Sequence, residues 1–363
     1  MAANCPFGSL LLFSFPVHLA LTTMLLPVQF DRAHAQESRT MGRIELRDPA
    51  AKQLLDADTP IEILAEGFQW SEGPVWLAKQ RKLLFSDVPR NRIHAWTSHE
   101  GASVFMSPSG FDPNLKPGQA SNEKEPGSNG LMLDHDGRLL VCDHGNRRVY
   151  RVEKDGSKTT LIDLFEGKRF NSPNDLIVHS NGDIYFTDPP YGLRDKTKRE
   201  LDFCGVYRLR LVGDGNSPHR NEVTLITKDL ERPNGIALSP DEKTLYVAQS
   251  HRPAPTYTRY DLNAESPSST AKVLYDASDL AATDPGMPDG MAVDQRGNLW
   301  ATGPGGVLII SPTGKLLGRI VTGQPTANCT FGGAGNELFI TSGKQLLRVK
   351  TRVKGLNFPK VGR

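Results

Sequence analysis

The stretch PNGIALSPDEKTLYVA, residues 233–248, decides the fold, because the chain repeats its pattern six times. A polar residue opens a short apolar segment, a turn rich in Gly, Pro, Asn or Asp follows, and a second β-rich segment ends the unit. The other copies are SEGPVWLAKQRKLLFSD (71–87), SNGLMLDHDGRLLVCD (128–143), PNDLIVHSNGDIYFTD (173–188), PDGMAVDQRGNLWAT (288–302) and ANCTFGGAGNELFIT (327–341). Six such copies predict an all-β fold, a six-bladed β-propeller that folds as one unit because each blade buries its faces against its neighbours.

Each copy opens with an acidic or carboxamide side chain, which we call its anchor. The six anchors are Glu72, Asn129, Asn174, Asn234, Asp289 and Asn328. The first strand of a propeller blade lines the central channel, so we expect the anchors to meet on the axis. Oxygen donors without His or Cys suit Ca²⁺, with Mg²⁺, Mn²⁺ or Zn²⁺ as other candidates. The repeat therefore predicts an axial divalent metal site, although ordinary turn chemistry also explains single Pro-Asn-Gly and Pro-Asp-Gly anchors.

Composition excludes some function classes. The chain has 363 residues, with 43 Lys and Arg against 41 Asp and Glu, so the formal net charge is +2. Such a charge gives no strong attraction to nucleic acid or to an anionic membrane. Cys142, Cys204 and Cys329 match no zinc pattern and are expected to be small buried residues, and a Cys142–Cys204 bridge remains open. The sequence contains no G-x-S-x-G nucleophile elbow and no P-loop.

The N-terminal segment has the pattern of an export signal. An apolar run is followed by Ala33-His34-Ala35, so residues 1–35 are predicted to be a secretory signal peptide, and Pro16 and Pro27 argue against the alternative of an uncleaved membrane anchor. The protein is then secreted, and periplasmic if its host is Gram-negative. The remaining boundaries predicted are an N-terminal extension closing onto the propeller (36–59), the propeller (60–352) and a C-terminal tail (353–363). Both a monomer and a homodimer fit the sequence.

Several motifs resemble the SMP-30/gluconolactonase/luciferin-regenerating family, over roughly residues 60–350. They are SEGPVW (71–76), CDHGNRRV (142–149), NSPNDL (171–176), FTDPPYG (186–192), RPNGIALSPDEKTLYVA (232–248), PDGMAVDQRGNLWATGPGGV (288–307) and ANCTFGG (327–333). The resemblance, strongest to bacterial gluconolactonase-type members, implies a six-bladed propeller with a divalent metal held by Glu72, Asn234 and Asp289, with Asn174 beside them. Ser172 stands where animal members have a substrate-contacting Arg, so their substrate contacts do not transfer.

The resemblance also implies an enzyme that hydrolyses sugar lactones, such as glucono-1,5-lactone, to the aldonic acid. In that hypothesis the metal polarises the carbonyl and Asp289 orients or activates the attacking water. Asp188 and His144 are candidate proton relays, although an inter-blade hydrogen bond explains His144 equally well and both loops could lie on the opposite face. Candidate substrate-binding residues are Asn129, Asn174, Tyr191 and Asn328.

Two rival functions remain open at this stage, because one fold can host several activities. The first is a metal-dependent arylesterase or phosphotriesterase, which needs an apolar wall above the metal. The second is a secreted binding propeller whose Ca²⁺ is purely structural. The polar segment 107–125 favours a polar substrate if it covers the site, but a surface loop is an equally good interpretation.

Overall fold

A computed structural model of the chain describes Met1 and residues 39–112 and 124–356. Apart from Met1, the predicted signal peptide lies outside the described residues, as do the centre of segment 107–125 and the end of the predicted tail. No helix in the part that the structure describes is long and apolar enough to cross a membrane.

Six antiparallel sheets form the six blades of a β-propeller, which confirms the predicted fold. The N-terminal strands are β1 (Thr40–Met41), β2 (Arg43–Leu46) and β3 (Ile61–Glu66). Blade one has β4 (Ser71–Leu77), β5 (Lys82–Asp87), β6 (Arg92–Thr97) and β7 (Gly101–Met106), and blade two has β8 (Ser128–Leu133), β9 (Leu139–Asp143), β10 (Arg148–Val152) and β11 (Lys158–Ile162). A separate hairpin, β12 (Leu164–Phe165) and β13 (Lys168–Arg169), precedes blade three, which has β14 (Leu176–Val178), β15 (Ile184–Asp188), β16 (Gly205–Arg210) and β17 (Glu222–Thr227).

The second half of the chain repeats this arrangement. Blade four has β18 (Pro233–Leu238), β19 (Thr244–Gln249), β20 (Thr256–Asp261) and β21 (Lys272–Asp276), and blade five has β22 (Met291–Val293), β23 (Leu299–Gly303), β24 (Gly306–Ile310) and β25 (Leu316–Val321). Blade six begins with β26 (Asn328–Gly332), β27 (Glu337–Ser342) and β28 (Gln345–Lys350). The helices are short: α1 (Ser278–Ala281) and 3-10 turns at Pro49–Gln53, Ala78–Gln80, Lys196–Lys198, Pro218–Arg220 and Pro267–Thr270.

N-terminal strands complete blades five and six. Strand β3 pairs with β28 as the fourth strand of blade six, and β1 pairs with β3. Strand β2 instead pairs with β25 at the outer edge of blade five. The segment 40–46 therefore joins two blades, and it changes partner at Gly42, whose φ is +64°. Between these strands, Ala51, Leu54 and Leu55 are buried in the apolar core that blades five and six share.

The core consists mainly of the second strands and the apolar layers between adjacent blades. Every residue of β9, β15 and β23 is buried, for example. The three cysteines of the described chain, Cys142, Cys204 and Cys329, are buried and free, as small core residues are expected to be.

The backbone pairing shows which residue of each blade occupies the anchor position. Asn174 donates its N–H to Thr187 O at 2.8 Å, and Asp289 donates in the same way to Thr302 O at 2.9 Å. In blade six the equivalent donor is Ala327, which bonds Thr341 O at 2.9 Å. The alignment that made Asn328 the sixth anchor is therefore displaced by one residue. Asn328 lies in the next layer of the inner strand.

Replacing Gly42 tests whether the N-terminal segment holds the two blades together. A Cβ on Gly42 would lie 2.1 Å from Val321 O, and the left-handed backbone adds strain, so Gly42→Ala should lower the free energy of unfolding by about 2–4 kcal/mol. Gly101→Ala is the matched control, because its φ is +71° and nothing lies within 4 Å of the added Cβ. Thermal and urea unfolding measure both variants. Equal losses for the two would show that the clash with blade five is unimportant.

Candidate functional site

Five anchors are buried or nearly so at the start of the inner strands. They are Glu72, Asn129, Asn174, Asn234 and Asp289. Three of them form a chain across blades two, three and four. Asn129 Nδ2 donates to Asn174 Oδ1 at 2.9 Å, and Asn174 Nδ2 donates to Asn234 Oδ1 at 2.6 Å. The anchors of these consecutive blades are thus in direct contact.

Glu72 and Asp289 are carboxylates held in an unfavourable environment. Burial, together with the charge of Asp175, raises the pKa of Glu72 to about 8. Burial also raises the pKa of Asp289 well above its usual range, followed by the charges of Glu72 and Asp175. Among the described residues, none of these three carboxylates forms an ion pair with Lys or Arg. The neutral form of each is therefore stabilised relative to that of an exposed carboxyl, unless a cation lies between them.

Asp175 is a buried residue of this region that the sequence analysis missed. It follows the anchor Asn174, and its Oδ2 accepts a hydrogen bond from Asn328 Nδ2 on the opposite blade at 3.4 Å. The equivalent layer holds glycine in the other four blades, at Gly73, Gly130, Gly235 and Gly290. Burial raises the pKa of Asp175 to about 6. A repeat in which one copy carries Asp where four carry Gly was the signal that could have revealed it.

A cavity of about 610 Å³ runs along the inner strands below this layer. Asp175 and Asn328 line its inner end, and the turns near Gln80, Asp136 and Glu242 line its outer end. None of the other five anchors lines it. Asn328, proposed from the sequence as a substrate contact, therefore lies in the Asp175 layer and lines this cavity, which the other candidates do not.

His144 lies at the same end of the propeller as the anchors. Strands β8 and β9 are antiparallel, with Ser128 opposite Asp143, so the residue after Asp143 returns to the anchor end. His144 is fully buried, and its Nε2 lies 3.2 Å from Asn174 Oδ1. Its Nδ1 lies 3.3 Å from Oε2 of Glu125, a carboxylate that the sequence analysis did not single out. This geometry matches the inter-blade hydrogen bond that was the alternative to a proton relay.

Asp188 holds the loop that carries an anchor. Its two oxygens accept the N–H groups of Asn171 and Ser172, each at 2.7 Å. Burial raises its pKa to about 7. Two other second strands end in a side chain that accepts a backbone N–H three residues before an anchor. Asp87 accepts from Gln69 N, and Gln249 Oε1 accepts from Glu231 N. The recurrence indicates a structural role for Asp188, which lies behind the anchors.

Tyr191 contributes a buried hydroxyl near Asp289. Its Oη forms no hydrogen bond of ordinary geometry, and the Ser250 hydroxyl lies close enough to lower its pKa. Burial raises the pKa of Tyr191, and the charge of Asp289 raises it further. The next residue, Gly192, packs tightly, since a Cβ there would lie 2.9 Å from both His144 Cβ and Ser172 Cβ. Its carbonyl accepts the N–H of Lys124 at 2.7 Å, so the end of segment 107–125 is bound beside Tyr191.

The donor set at the anchors fits a hard divalent cation. Asp289 Oδ1 and Asn129 Oδ1 are buried oxygens without a hydrogen-bond partner. No three His, Cys, Asp or Glu side chains of the described residues could hold a metal by themselves, so a site here needs carboxamide oxygens as well. Two carboxylates plus carboxamide oxygens are ligands that Ca²⁺ accepts.

Fold and site together define a six-bladed propeller with convergent oxygen donors at one end of its axis. Residues 70–344 match the family model described as the SMP-30/Gluconolactonase/LRE-like region. The chain belongs to this family, as its motifs predicted.

Relatives and solved structures agree with this assignment. The chain is 41% identical over 328 residues to a gluconolactonase from Zymomonas mobilis, covering 87% of this chain and 88% of the relative. A gluconolactonase structure from Xanthomonas campestris is 31% identical, with a TM-score of 0.72, covering 87% of this chain and 99% of that chain. A calcium-binding regucalcin from Agrobacterium tumefaciens shares the fold at 19% identity, with a TM-score of 0.63 and coverages of 89% and 98%.

Asp188→Asn separates a structural role from a proton relay. An Asn side chain accepts one of the two backbone N–H groups and opposes the other with its own NH₂. The free energy of unfolding should therefore fall by roughly 1–3 kcal/mol. Urea unfolding measures the change. A variant as stable as the wild type would contradict the structural role.

The buried carboxylates also predict how metal-free protein responds to pH. The folded-state pKa values of Asp175 (about 6), Asp188 (about 7) and Glu72 (about 8) lie above their ordinary values, so the folded state binds more protons. Stability from these groups is complete below their ordinary values and is lost as pH rises through 6 to 8. In chelator, the melting temperature should therefore fall across this range. Glu72→Gln should flatten the fall between pH 7 and 8, whereas a rising profile in the wild type would contradict the account.

Proposed function

We propose that the protein hydrolyses sugar lactones such as glucono-1,5-lactone to the aldonic acid, and that Ca²⁺ bound at the anchors supports the reaction. Family membership and 41% identity to a gluconolactonase support the reaction class. The observation that carries the metal is the burial of Glu72 and Asp289 in each other's field, without a Lys or Arg ion pair in residues 39–112 and 124–356. Two carboxylates supply only some of the oxygen ligands that Ca²⁺ takes, so a bound ion could also attract the carbonyl oxygen of a lactone.

Glu72, Asn234 and Asp289 are the proposed ligands, with Asn174 beside them. Asn174 Oδ1 already accepts hydrogen bonds from Asn129 and His144, which occupy both of its lone pairs. Asn234 Oδ1 accepts one hydrogen bond, from Asn174, and keeps a lone pair. This difference supports Asn234 as the ligand of the two. When bound, the cation would polarise the lactone carbonyl and stabilise the oxyanion formed by water attack.

Asp289 is the proposed base for the attacking water. The residue as a whole is partly exposed, and its Oδ1 is a buried oxygen without a hydrogen-bond partner, so its lone pairs are unoccupied. A water molecule could donate a hydrogen bond to Oδ1 and transfer that proton as it attacks. The proton then passes to the ring oxygen that leaves as a hydroxyl, which yields the open-chain acid.

Polar atoms near the anchors could bind the hydroxyls of a sugar lactone. Asn129 Oδ1 is an acceptor without a partner, and Tyr191 Oη, which lies beside the Ser250 hydroxyl, is a second polar group near the anchors. Both groups favour a polar substrate over the apolar ester that an arylesterase needs. His144 and Asp188 are then positioning residues, since each contacts an anchor or its loop. Asn328 lies in the layer below.

Proton release from glucono-1,5-lactone tests the proposal. The protein should accelerate hydrolysis in Ca²⁺, chelator should remove the acceleration, and Asp289→Ala should lower kcat/KM by about 100-fold or more. Asp261→Asn, an exposed position at the end of β20, is the matched control and should behave as the wild type. Mg²⁺, Mn²⁺ and Zn²⁺ can be compared in the same assay.

A rate that equals spontaneous ring opening with several lactones, in folded protein that has bound Ca²⁺, would contradict the lactonase proposal. Aryl esters and phosphotriesters are the next substrates in that case. If the wild type turns over none of these substrates and Asp289→Ala only lowers the melting temperature, a binding propeller with a structural ion is favoured.

A further inference from the structure

The carboxamide chain of the anchors continues through Ser250 to a backbone carbonyl. Asn234 Nδ2 donates to Ser250 Oγ at 3.0 Å, and the Ser250 hydroxyl donates to Pro288 O. Pro288 directly precedes Asp289. The chain therefore runs from blade two, through Asn174 and Asn234, to the anchor loop of blade five.

The last acceptor determines the direction of every bond in this chain. A carbonyl oxygen has no hydrogen, so Ser250 must give its single hydrogen to Pro288 and can only accept from Asn234. Asn234 must then turn Nδ2 toward Ser250 and Oδ1 toward Asn174. Because Asn234 presents Oδ1, which can only accept, Asn174 must donate to it through Nδ2. The assignment follows from the hydrogen-bond network, because only this orientation of each amide satisfies every bond of the chain.

The other end of the chain is determined in the same way. Asn174 Oδ1 faces Asn129 at 2.9 Å and His144 at 3.2 Å, so both neighbours must donate to it. His144 therefore carries a hydrogen on Nε2. Asn129 contributes Nδ2 and keeps Oδ1 as a buried acceptor without a partner. The direction of the chain thus decides which amide oxygens stay available to a ligand.

We infer that Ser250 is a positioning residue, whose hydroxyl fixes the direction of the Asn129–Asn174–Asn234 chain and keeps the oxygens of Asn129 and Asn234 available to a cation or a hydroxyl group. Without this hydroxyl, Asn234 Nδ2 loses its acceptor and the carboxamide is free to turn over. Asn174 then loses the constraint that orients its carboxamide, and His144, which keeps its contact with Glu125 Oε2 at 3.3 Å, loses a fixed acceptor for Nε2. The inference deepens the proposed function, and its calcium and lactone measurements rest on that function, whereas its test in metal-free protein does not.

The metal-free test follows the His144 ring by ¹⁵N NMR. Ser250→Ala removes the hydroxyl, and Ser250→Thr keeps it. Ser239→Ala is the matched control, because Ser239 is a buried serine of the same blade whose hydroxyl bonds Asp241 at 2.6 Å, at the other end of β18. His144 is identified by the loss of its signals in His144→Gln. Wild type, Ser250→Thr and Ser239→Ala should show a hydrogen on Nε2, and Ser250→Ala should shift or broaden these signals. Unchanged His144 signals in Ser250→Ala would overturn the inference.

Calcium titration and lactone kinetics then measure the consequence for the site. Ser250→Ala should weaken Ca²⁺ binding by about 10- to 100-fold and lower kcat/KM, as expected when a group that orients a ligand is lost. Ser250→Thr should restore most of both, and Ser239→Ala should lower the melting temperature without changing either. Wild-type affinity and kinetics in Ser250→Ala would overturn the inference. A wild type that binds no Ca²⁺ and hydrolyses no lactone would contradict the proposed function, and the NMR result would still decide the role of Ser250.

Discussion

The close approach of the inner strands at the axis is the constraint on which the rest of the structure depends. A Cβ on Gly73 would lie 2.2 Å from Asn129 O, and one on Gly235 would lie 2.1 Å from Asp289 O. Only glycine lets the backbone of the next blade come so near. This approach brings Asn129, Asn174 and Asn234 within hydrogen-bond distance. Hydroxyls of the second strands support it, since Ser86 bonds Asn129 O at 2.7 Å.

The same approach places acidic side chains in one another's field. A buried carboxylate without a counter-charge is costly, and its raised pKa expresses that cost. Burial also raises the pKa of Asp188, but two backbone N–H groups donate to its oxygens. Asp289 instead keeps Oδ1 without a partner. Buried groups of this kind are commonly retained for function, because folding alone would favour a neutral side chain at the same position.

The repeat predicted the fold and most of the anchors, because turn residues and apolar strands recur in every copy. The alignment failed in blade six, where the repeat pattern selects Asn328 although the backbone pairing selects Ala327. Asp175 does not stand out in the repeat, because it directly follows an anchor and the pattern assigns no role to that position. Glu125 lies beside irregular sequence, so no periodicity pointed to it. Contacts between blades, such as that of Glu125 with His144, depend on how neighbouring sheets pack, which the pattern within one copy does not specify.

Isothermal titration of metal-free protein with Ca²⁺ tests the central claim most directly, namely that the axial carboxylates form a cation site. The account predicts one Ca²⁺ per chain, release of protons on binding near pH 7, since raised pKa values leave protons to be displaced, and no binding in a Glu72→Gln, Asp289→Asn double variant that remains folded. Folded wild-type protein that takes up no divalent cation, or a double variant that binds as tightly as the wild type, would contradict it.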